Sequence, residues 1–440
     1  MRSWISVLSL TCLVCLASTL NAADRFAEWR GNDGQGHSNA VNLPVKWSET
    51  RNVAWKTTIP GSGWSTPVVE NGVVWVTTAI DEPANKDEFE RRRKASTNKQ
   101  PLRISDSVSL RAVGVDLATG KIVRDVELLS EEKPQQIHYV NTYASPSPVI
   151  EDGRLYCHYG TYGIACLDVK SGEVLWRNKD MRVEHENGPG SSPILWQDRL
   201  IIHCDGIDKQ YIVALNKDTG KEVWRTDRTG QLRDNVQLRK SYATALIVQV
   251  EGKPLVVSPA ADWLYGYDPQ SGRELWKMSY GELGFSNAGR PIQGHGMVYV
   301  CTGYMKSQLM ALKLHLDKPP TVAWRFKKQV PNVGSPLMVG KQIYFASDNG
   351  IATCIDAISG ESRWVQRIGK KFWASPLYAD GKIYFFDSTG DTTVIAPSTD
   401  FRRLSINKLE GTLYAAGSAV DGAMLIRTSE GLYCFANARK

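Results

Sequence analysis
Side chains able to do chemistry are spread thinly through this 440-residue sequence. Its seven histidines (His37, His138, His158, His185, His203, His295 and His315) show no His-x-x-x-His spacing, and no Cys-x-x-Cys pair accompanies them beyond Cys12 and Cys15 inside the apolar leader, so a zinc site is not expected. No Gly-x-Ser-x-Gly elbow and no Cys paired with a suitable His is present, which removes the common routes to nucleophilic hydrolysis. Glu184-His185-Glu186 is a compact polar trio, read here as part of a surface loop. The Gly-rich stretch Trp29-Arg30-Gly31-Asn32-Asp33-Gly34-Gln35-Gly36 lacks the preceding strand and following helix of a phosphate cradle. Its Asn32 and Asp33 lack the acidic loop pattern of a calcium site. What remains is an aromatic and hydrogen-bonding set: Trp64, Tyr242 and Trp373, each three residues before a recurring Pro-like position, with Tyr143, Asn287, Arg290 and Asn332 close by. Such residues suit a ligand or peptide site, or simply fill a channel.

The elements that position this set are repeats. Asp168 to Trp176 (DVKSGEVLW) returns as Asn216 to Trp224, Asp268 to Trp276 and Asp356 to Trp364, and in damaged form as Asp116 to Arg124. Recurrence at roughly forty to fifty residues marks a repeat architecture. A short Asp or Asn side chain accepts from backbone N–H groups just ahead of it, and Ser/Thr-Gly supplies the left-handed residue that closes a hairpin. The Trp four residues after the glycine then sits at a fixed place on the second strand. Trp55, Trp176, Trp224, Trp276, Trp324 and Trp364 are the expected blade-docking rings.

Upstream of each turn come a Ser-Pro-like opening, an Asp-Gly-like turn and two more short strands. Four antiparallel strands make a propeller blade, and eight openings are present, the eighth loosely as Gly417-Ser418-Ala419. The last copy stops at Phe435 without a fourth strand, whereas Asn52-Val53-Ala54-Trp55 looks like a fourth strand lacking the first three. The expectation is an all-β, eight-bladed β-propeller of four-stranded antiparallel blades, closed by that N-terminal strand. Blade seven loses its final Trp, with Phe401 as the stand-in.

The sequence divides into a signal peptide at 1–22, a Gly-rich segment at 23–45 expected to cover one face or the rim, and the propeller at 46–440 with an insertion at 80–107. The leader, its apolar run short for a bilayer span and without a lipobox, points to a periplasmic or secreted protein. Net charge is mild at +7. Its basic concentration, Lys86 to Arg103, is interleaved with Asp87, Glu88 and Glu90, so it reads as a solvated, mobile loop and no nucleic-acid partner is expected. No amphipathic helix is legible after the leader. Beyond the leader lie Cys157, Cys166, Cys204, Cys301, Cys354 and Cys434, expected as free buried thiols. Cys157 and Cys166 share a hairpin, where cross-strand geometry seldom meets the disulfide dihedral requirement.

Ser-Pro, then Asp-Gly-x-hydrophobic-Tyr, then Leu-Asp-x-x-Ser/Thr-Gly-x-x-x-Trp resembles the repeats of pyrroloquinoline-quinone (PQQ) propellers across residues 46 to 437. Trp29-Arg30-Gly31, Leu43-Pro44 and Gly61-Ser62-Gly63-Trp64-Ser65 are also similar to secreted bacterial PQQ-like repeat proteins of no settled activity. The superfamily resemblance implies two functional branches. Quinoprotein dehydrogenases hold PQQ and Ca2+ in the funnel, use an Asp base and often carry an adjacent-cysteine disulfide. This sequence has no Cys-Cys pair and no Asp that can be carried over as the base, although Trp64 or Trp373 resembles the ring beneath the quinone. The other branch is similar to the propeller subunit of the outer-membrane β-barrel assembly machinery, which binds partner proteins and does no chemistry. The expectation is therefore a monomeric, envelope-associated scaffold with an unknown protein or small-molecule partner and no cofactor. A PQQ- and calcium-dependent alcohol or sugar oxidoreductase is the alternative.

Overall fold
In each complete phrase the Asp closes its turn locally. Asp168 Oδ1 accepts from the backbone N–H of Lys170 (3.0 Å) and Ser171 (2.7 Å) and from the Ser171 hydroxyl (2.9 Å). Gly172 follows at φ +80°. Asn216, Asp268 and Asp356 repeat this pattern. The Trp then reaches out of its own blade. The indole N–H groups of Trp55, Trp176, Trp224, Trp276, Trp324 and Trp364 donate at 2.8–3.2 Å to carbonyls of Leu117, Lys217, Pro269, His315, Ala357 and Ser398, each in the next blade. The turn glycine of that next blade leaves room for the ring: a Cβ on Gly220 would meet Trp176 at 2.4 Å, and one on Gly272 would meet Trp224 at 2.5 Å.

Repeated around the ring, this gives eight four-stranded antiparallel sheets, the first strand of each facing the axis. The computed structural model describes residues 24–281 and 284–437; the leader expected at 1–22 lies outside them. Blades one to seven start at Val68, Val149, Ile194, Leu246, Ile292, Leu337 and Leu377. Blade eight combines Ser418–Val420, Ala423–Thr428 and Gly431–Ala436 with Val53–Thr57, whose Trp55 pairs with Cys434 and Lys56 with Tyr433. The N-terminal strand thus closes the ring, burying an edge on each side. Apolar clusters lie between adjacent blades rather than in one core, as expected where each sheet contacts its neighbours.

The six cysteines in the described residues are free and buried. Cys157 pairs with Ala165 and Cys166 with Tyr156, so the two thiols project from opposite faces of their blade.

Two blades depart from the Trp pattern, and the structure shows the substitutes. In blade one Arg124 occupies the Trp position and donates to the Lys170 carbonyl of blade two at 2.8 Å. In blade seven that position is Ser405, and the ring comes from elsewhere: Trp47 stacks between Tyr384 and Phe435, with centroids at 6.1 and 5.3 Å, and its backbone N–H donates to Asn407. The expectation for Phe401 is corrected. It packs edge-on against Trp364 of blade six and does not replace the missing ring.

The Gly-rich segment does more than cover a face. Ala27 accepts from Ile150 N–H in blade two, whereas Arg30 donates to the Pro336 carbonyl in blade six. Those blades are diametrically opposed, so the chain between them crosses the axis. Gln35, Gly36 and Ser38 continue onto blades five and seven, and Leu43 reaches the turn at Asp380. The segment seals the channel at the end carrying the Asp-Gly turns.

The insertion is corrected as well. Lys86–Ala95 forms a helix, α1, capped by the Asn85 side chain, which accepts from Glu88 N–H; acidic residues sit in its first turn and basic residues in its last. No α1 residue is fully buried, which is why no apolar periodicity announces it. Order comes from polar anchors instead. Arg92 donates to the carbonyls of Ser105 and Pro134, buried Asn98 donates to the Glu186 carbonyl and to Asn187, and Leu102–Arg103 pairs with Ile137–His138.

Candidate functional site
With one end sealed, the channel is a cup open on the face that carries the loops leading into each first strand. Three of those loops bring an aromatic arc together. Tyr414 stands between Trp373 (centroids 4.8 Å apart, planes at 31°) and Trp64 (5.0 Å, 88°), spanning blades seven, eight and one. The Trp64 indole N–H is held by the Val140 carbonyl at 2.9 Å. The Lys371 ammonium lies 3.5 Å from the Trp373 ring centre. Burial lowers the Lys371 pKa, against the opposing pull of Asp348.

Tyr242, on blade four, lies across the ring from Tyr414. Its hydroxyl donates to the His185 carbonyl at 3.1 Å, and burial pushes its pKa up. Beside it, Lys240 is buried and donates to Gln237; burial lowers its pKa to about 8, with Glu186 opposing. The pKa of half-buried His138 is lowered by its own burial and then by the charges of Lys371 and Lys240. Glu184-His185-Glu186 is not the surface loop expected from sequence. His185 and Glu186 are buried, His185 Nε2 accepts from Thr161 N–H at 2.9 Å, and burial lowers the His185 pKa to about 3.

The remaining residues singled out in the sequence lie apart from the arc. Tyr143 is buried against Tyr162, its hydroxyl donating to the Gln135 carbonyl at 3.1 Å. Asn287 is fully buried, its amide donating to the Ala260 carbonyl at 3.1 Å, and its own carbonyl accepts from Tyr242 N–H. Arg290 is turned toward the sealing segment, donating to the Trp29 carbonyl at 3.0 Å and pairing with Glu28 at 3.3 Å. Asn332 donates to Asp348, whose pKa burial raises. Sequence reasoning missed Tyr414, although it lies three residues before Gly417 just as Trp373 lies three before Pro376.

A hollow of about 450 Å³ lies in the cup wall at the seam of blades eight and one and includes Trp64, Tyr139, Tyr414, Arg103 and Arg427 in its lining. A calcium-bound quinone would need a free indole face and a cluster of oxygen ligands. Trp373 already carries Lys371 and Tyr414, and Trp64 abuts Tyr414. Among the described residues no group of three or more His, Cys, Asp or Glu is arranged to hold a metal. The residues present do not fit that pair. Nor is any described helix long and apolar enough to cross a membrane.

Residues 40–226, 208–315 and 315–413 match the family model described as outer membrane protein assembly factor BamB. A curated protein of that name from Yersinia pestis is 25% identical over 219 residues, 46% of this chain and 52% of the relative, so the match spans about half of the relative's length. Among solved structures, BamB from Moraxella catarrhalis superposes with a TM-score of 0.52 at 14% identity, covering 76% of this chain and 94% of that one. The computationally designed Ika8 protein gives 0.53 at 11% identity, covering 78% and 95%. At these identities the structural likeness concerns the fold alone.

Proposed function
The chain belongs to the family of the outer membrane protein assembly factor BamB, and from that premise we propose that it is an exported, envelope-associated binding scaffold that serves outer-membrane protein assembly through its open cup. The observation carrying this reading is the blind cup itself. Its floor is the protein's own N-terminal segment, and its rim bears the fixed rings of Trp64, Tyr414 and Trp373 beside Lys371. Rigid aromatic side chains offer large contact area at small entropic cost, which suits recognition of a protein segment. Among the described rim residues none pairs a nucleophile with a base, and the indole faces a quinone would stack on are already covered by Lys371 and Tyr414.

A photo-crosslinking residue at Tyr414, compared with one at Ile358 on an exposed turn of the opposite face, tests the reading in the native envelope. Adducts with an outer-membrane assembly protein from Tyr414 and none from Ile358 are expected; adducts from Ile358 alone, or from neither, would refute it. Heat of binding on adding PQQ with calcium to the purified protein would restore the enzyme reading.

A further inference from the structure
Four deeply buried arginines differ in how their charge is met. Arg228 pairs with Asp205 at 2.9 Å, and Arg290 with Glu28 at 3.3 Å. Arg30 is wrapped by its own segment, with Nε donating to the Gly34 carbonyl and Nη2 to those of Gln35 and Pro336. Arg427, only 3% exposed, has no carboxylate partner among the described residues. Among the described residues its hydrogen bonds run from Nη1, to Ser65 Oγ at 2.9 Å and the Thr77 carbonyl at 2.7 Å, and tie blade eight to blade one. Nη2 lies where a Cβ on Gly63 would come within 2.7 Å, so only glycine leaves that edge of the guanidinium clear. Burial without a counter-charge lowers the Arg427 pKa to about 9.

The same arginine lines the seam hollow. That wall contains two arginines and no Asp, Glu or Lys. Arg103 is neutralised by Asp81, so the hollow offers one uncompensated positive charge, flanked by the hydroxyls of Thr428 and Ser429 and the rings of Trp64, Tyr139 and Tyr414. A volume of about 450 Å³ is in the range of small-molecule pockets and far exceeds what an inorganic anion fills. A lone guanidinium edge matches a singly charged, planar carboxylate, whereas a phosphate dianion calls for further cations. We propose that the seam hollow binds a monocarboxylate carried on an aromatic or apolar body, with the carboxylate on Arg427 and the body against Trp64, Tyr139 and Tyr414. The inference deepens the scaffold reading and rests on it, since Trp64 and Tyr414 belong to both. A free organic acid and the carboxyl end of a peptide present the same chemistry.

The test is titration of the intact protein, followed by calorimetry and tryptophan fluorescence, with 3-phenylpropionate, 3-phenylpropionamide, N-acetyl-Gly-Phe as acid and as amide, and inorganic phosphate. The acids should bind about tenfold or more tightly than the amides, as expected for loss of a charge-assisted hydrogen bond. Arg427→Gln should abolish the preference, with Arg427→Lys retaining part of it. A peptide acid tighter than the free acid identifies a chain terminus as the ligand; the reverse identifies a small acid; both support the site. Equal binding of acid and amide, no binding up to about 10 mM, or phosphate binding more tightly than either acid would overturn it. If Arg427→Gln does not fold, the acid–amide contrast on the unaltered protein still decides. Because these probes need no partner protein, their failure leaves the scaffold reading standing. Absence of crosslinks from Tyr414 with intact acid binding removes the scaffold reading alone.

Discussion
Gly252 and Gly272 lie in two turns of blade four with nearly the same backbone, φ +77° and +73°. Around Gly252 no atom lies within 4 Å of an added Cβ, whereas at Gly272 the Cβ would meet Trp224 Cδ2 and Cε3 at 2.5 Å. Substitution by Ala therefore imposes the same left-handed strain twice, about 1–2 kcal/mol, but displaces a ring only once. Moving the 8%-exposed Trp224 ring outward by about 1 Å gives up close-packed contacts and its 3.1 Å bond to the Pro269 carbonyl, the bond alone being about 1 kcal/mol. Gly272→Ala should thus cost about 2–3 kcal/mol more than Gly252→Ala, within the range of partial loss of a buried aromatic. Urea denaturation followed by circular dichroism measures both, and a cycle with Trp224→Ala isolates the coupling. In the Trp224→Ala background, Gly272→Ala should fall back to the cost seen at Gly252. Equal losses for the two glycine variants, within about 0.5 kcal/mol, or no coupling in the cycle, would refute the assignment of this glycine to ring docking.

Three further outcomes follow from the structure. Burial lowers the pKa of His158 to about 4 and of His185 to about 3, and burial with nearby Arg228 sets His203 well below its usual value. Above the unfolded value of about 6.5 no proton is taken up, so their stabilisation is complete; as pH falls to 5 the unfolded chain gains protons the folded one refuses, costing about 2 kcal/mol per histidine. Melting curves at pH 7 and pH 5 should show the loss, and His203→Gln should shrink it by about a third; a melting temperature equal at both values would contradict the burial. Asn98→Ala removes the bonds to Glu186 and Asn187 that pin the insertion. Trypsin should then cleave among Arg91–Lys94 several-fold faster with global stability within about 1 kcal/mol, and unchanged cleavage would show that α1 is held elsewhere. Trp47→Ala should cost about 3–5 kcal/mol and raise amide exchange first in blades seven and eight; uniform exchange around the ring would exclude a local role.

Legibility followed locality. The turn closed by Asp168, Ser171 and Gly172 is settled within five residues, so its fold was readable wherever the phrase recurs. Ring closure by Val53–Thr57 was also readable, because a blade missing one strand and a strand missing its blade imply each other. Trp47 was not, because it fills a vacancy left by Ser405 from a segment outside the repeats. The basic insertion looked solvated because its order rests on carbonyl acceptors such as those of Ser105 and Pro134, which composition does not display. At the site, Trp64, Tyr242 and Trp373 were found by counting from Pro67, Ala245 and Pro376, and Tyr414 escaped because the loose opening Gly417-Ser418-Ala419 does not mark which residue stands at the proline position. Arg427 sits in the strand Ala423–Thr428 with no repeat mark, and only ring closure reveals that its charge faces a hollow.

That contrast has a structural cause. A blade within the array must dock on two neighbours of the same pattern, so its Asp, Gly and Trp positions are taken by packing. At the seam one docking ring is supplied by Trp47 and one strand by Val53–Thr57, both from the N-terminal segment. The seam blades are thereby relieved of part of the repeat's demands, and there three consecutive lead-in positions carry the rings Trp373, Tyr414 and Trp64, whereas of the other five only blade four has a ring, Tyr242, against Ser145, Gly190, Ala288 and Val333. The same segment crosses from blade two to blade six and seals the floor, which makes the aromatic side of the cup the accessible one. Closing the ring and assembling the aromatic arc are on this account one event. Loosening the sealing segment, for instance through Arg30→Ala, should therefore disturb ligand binding at the seam as well as stability, although Arg30 lies on the opposite face from Tyr414.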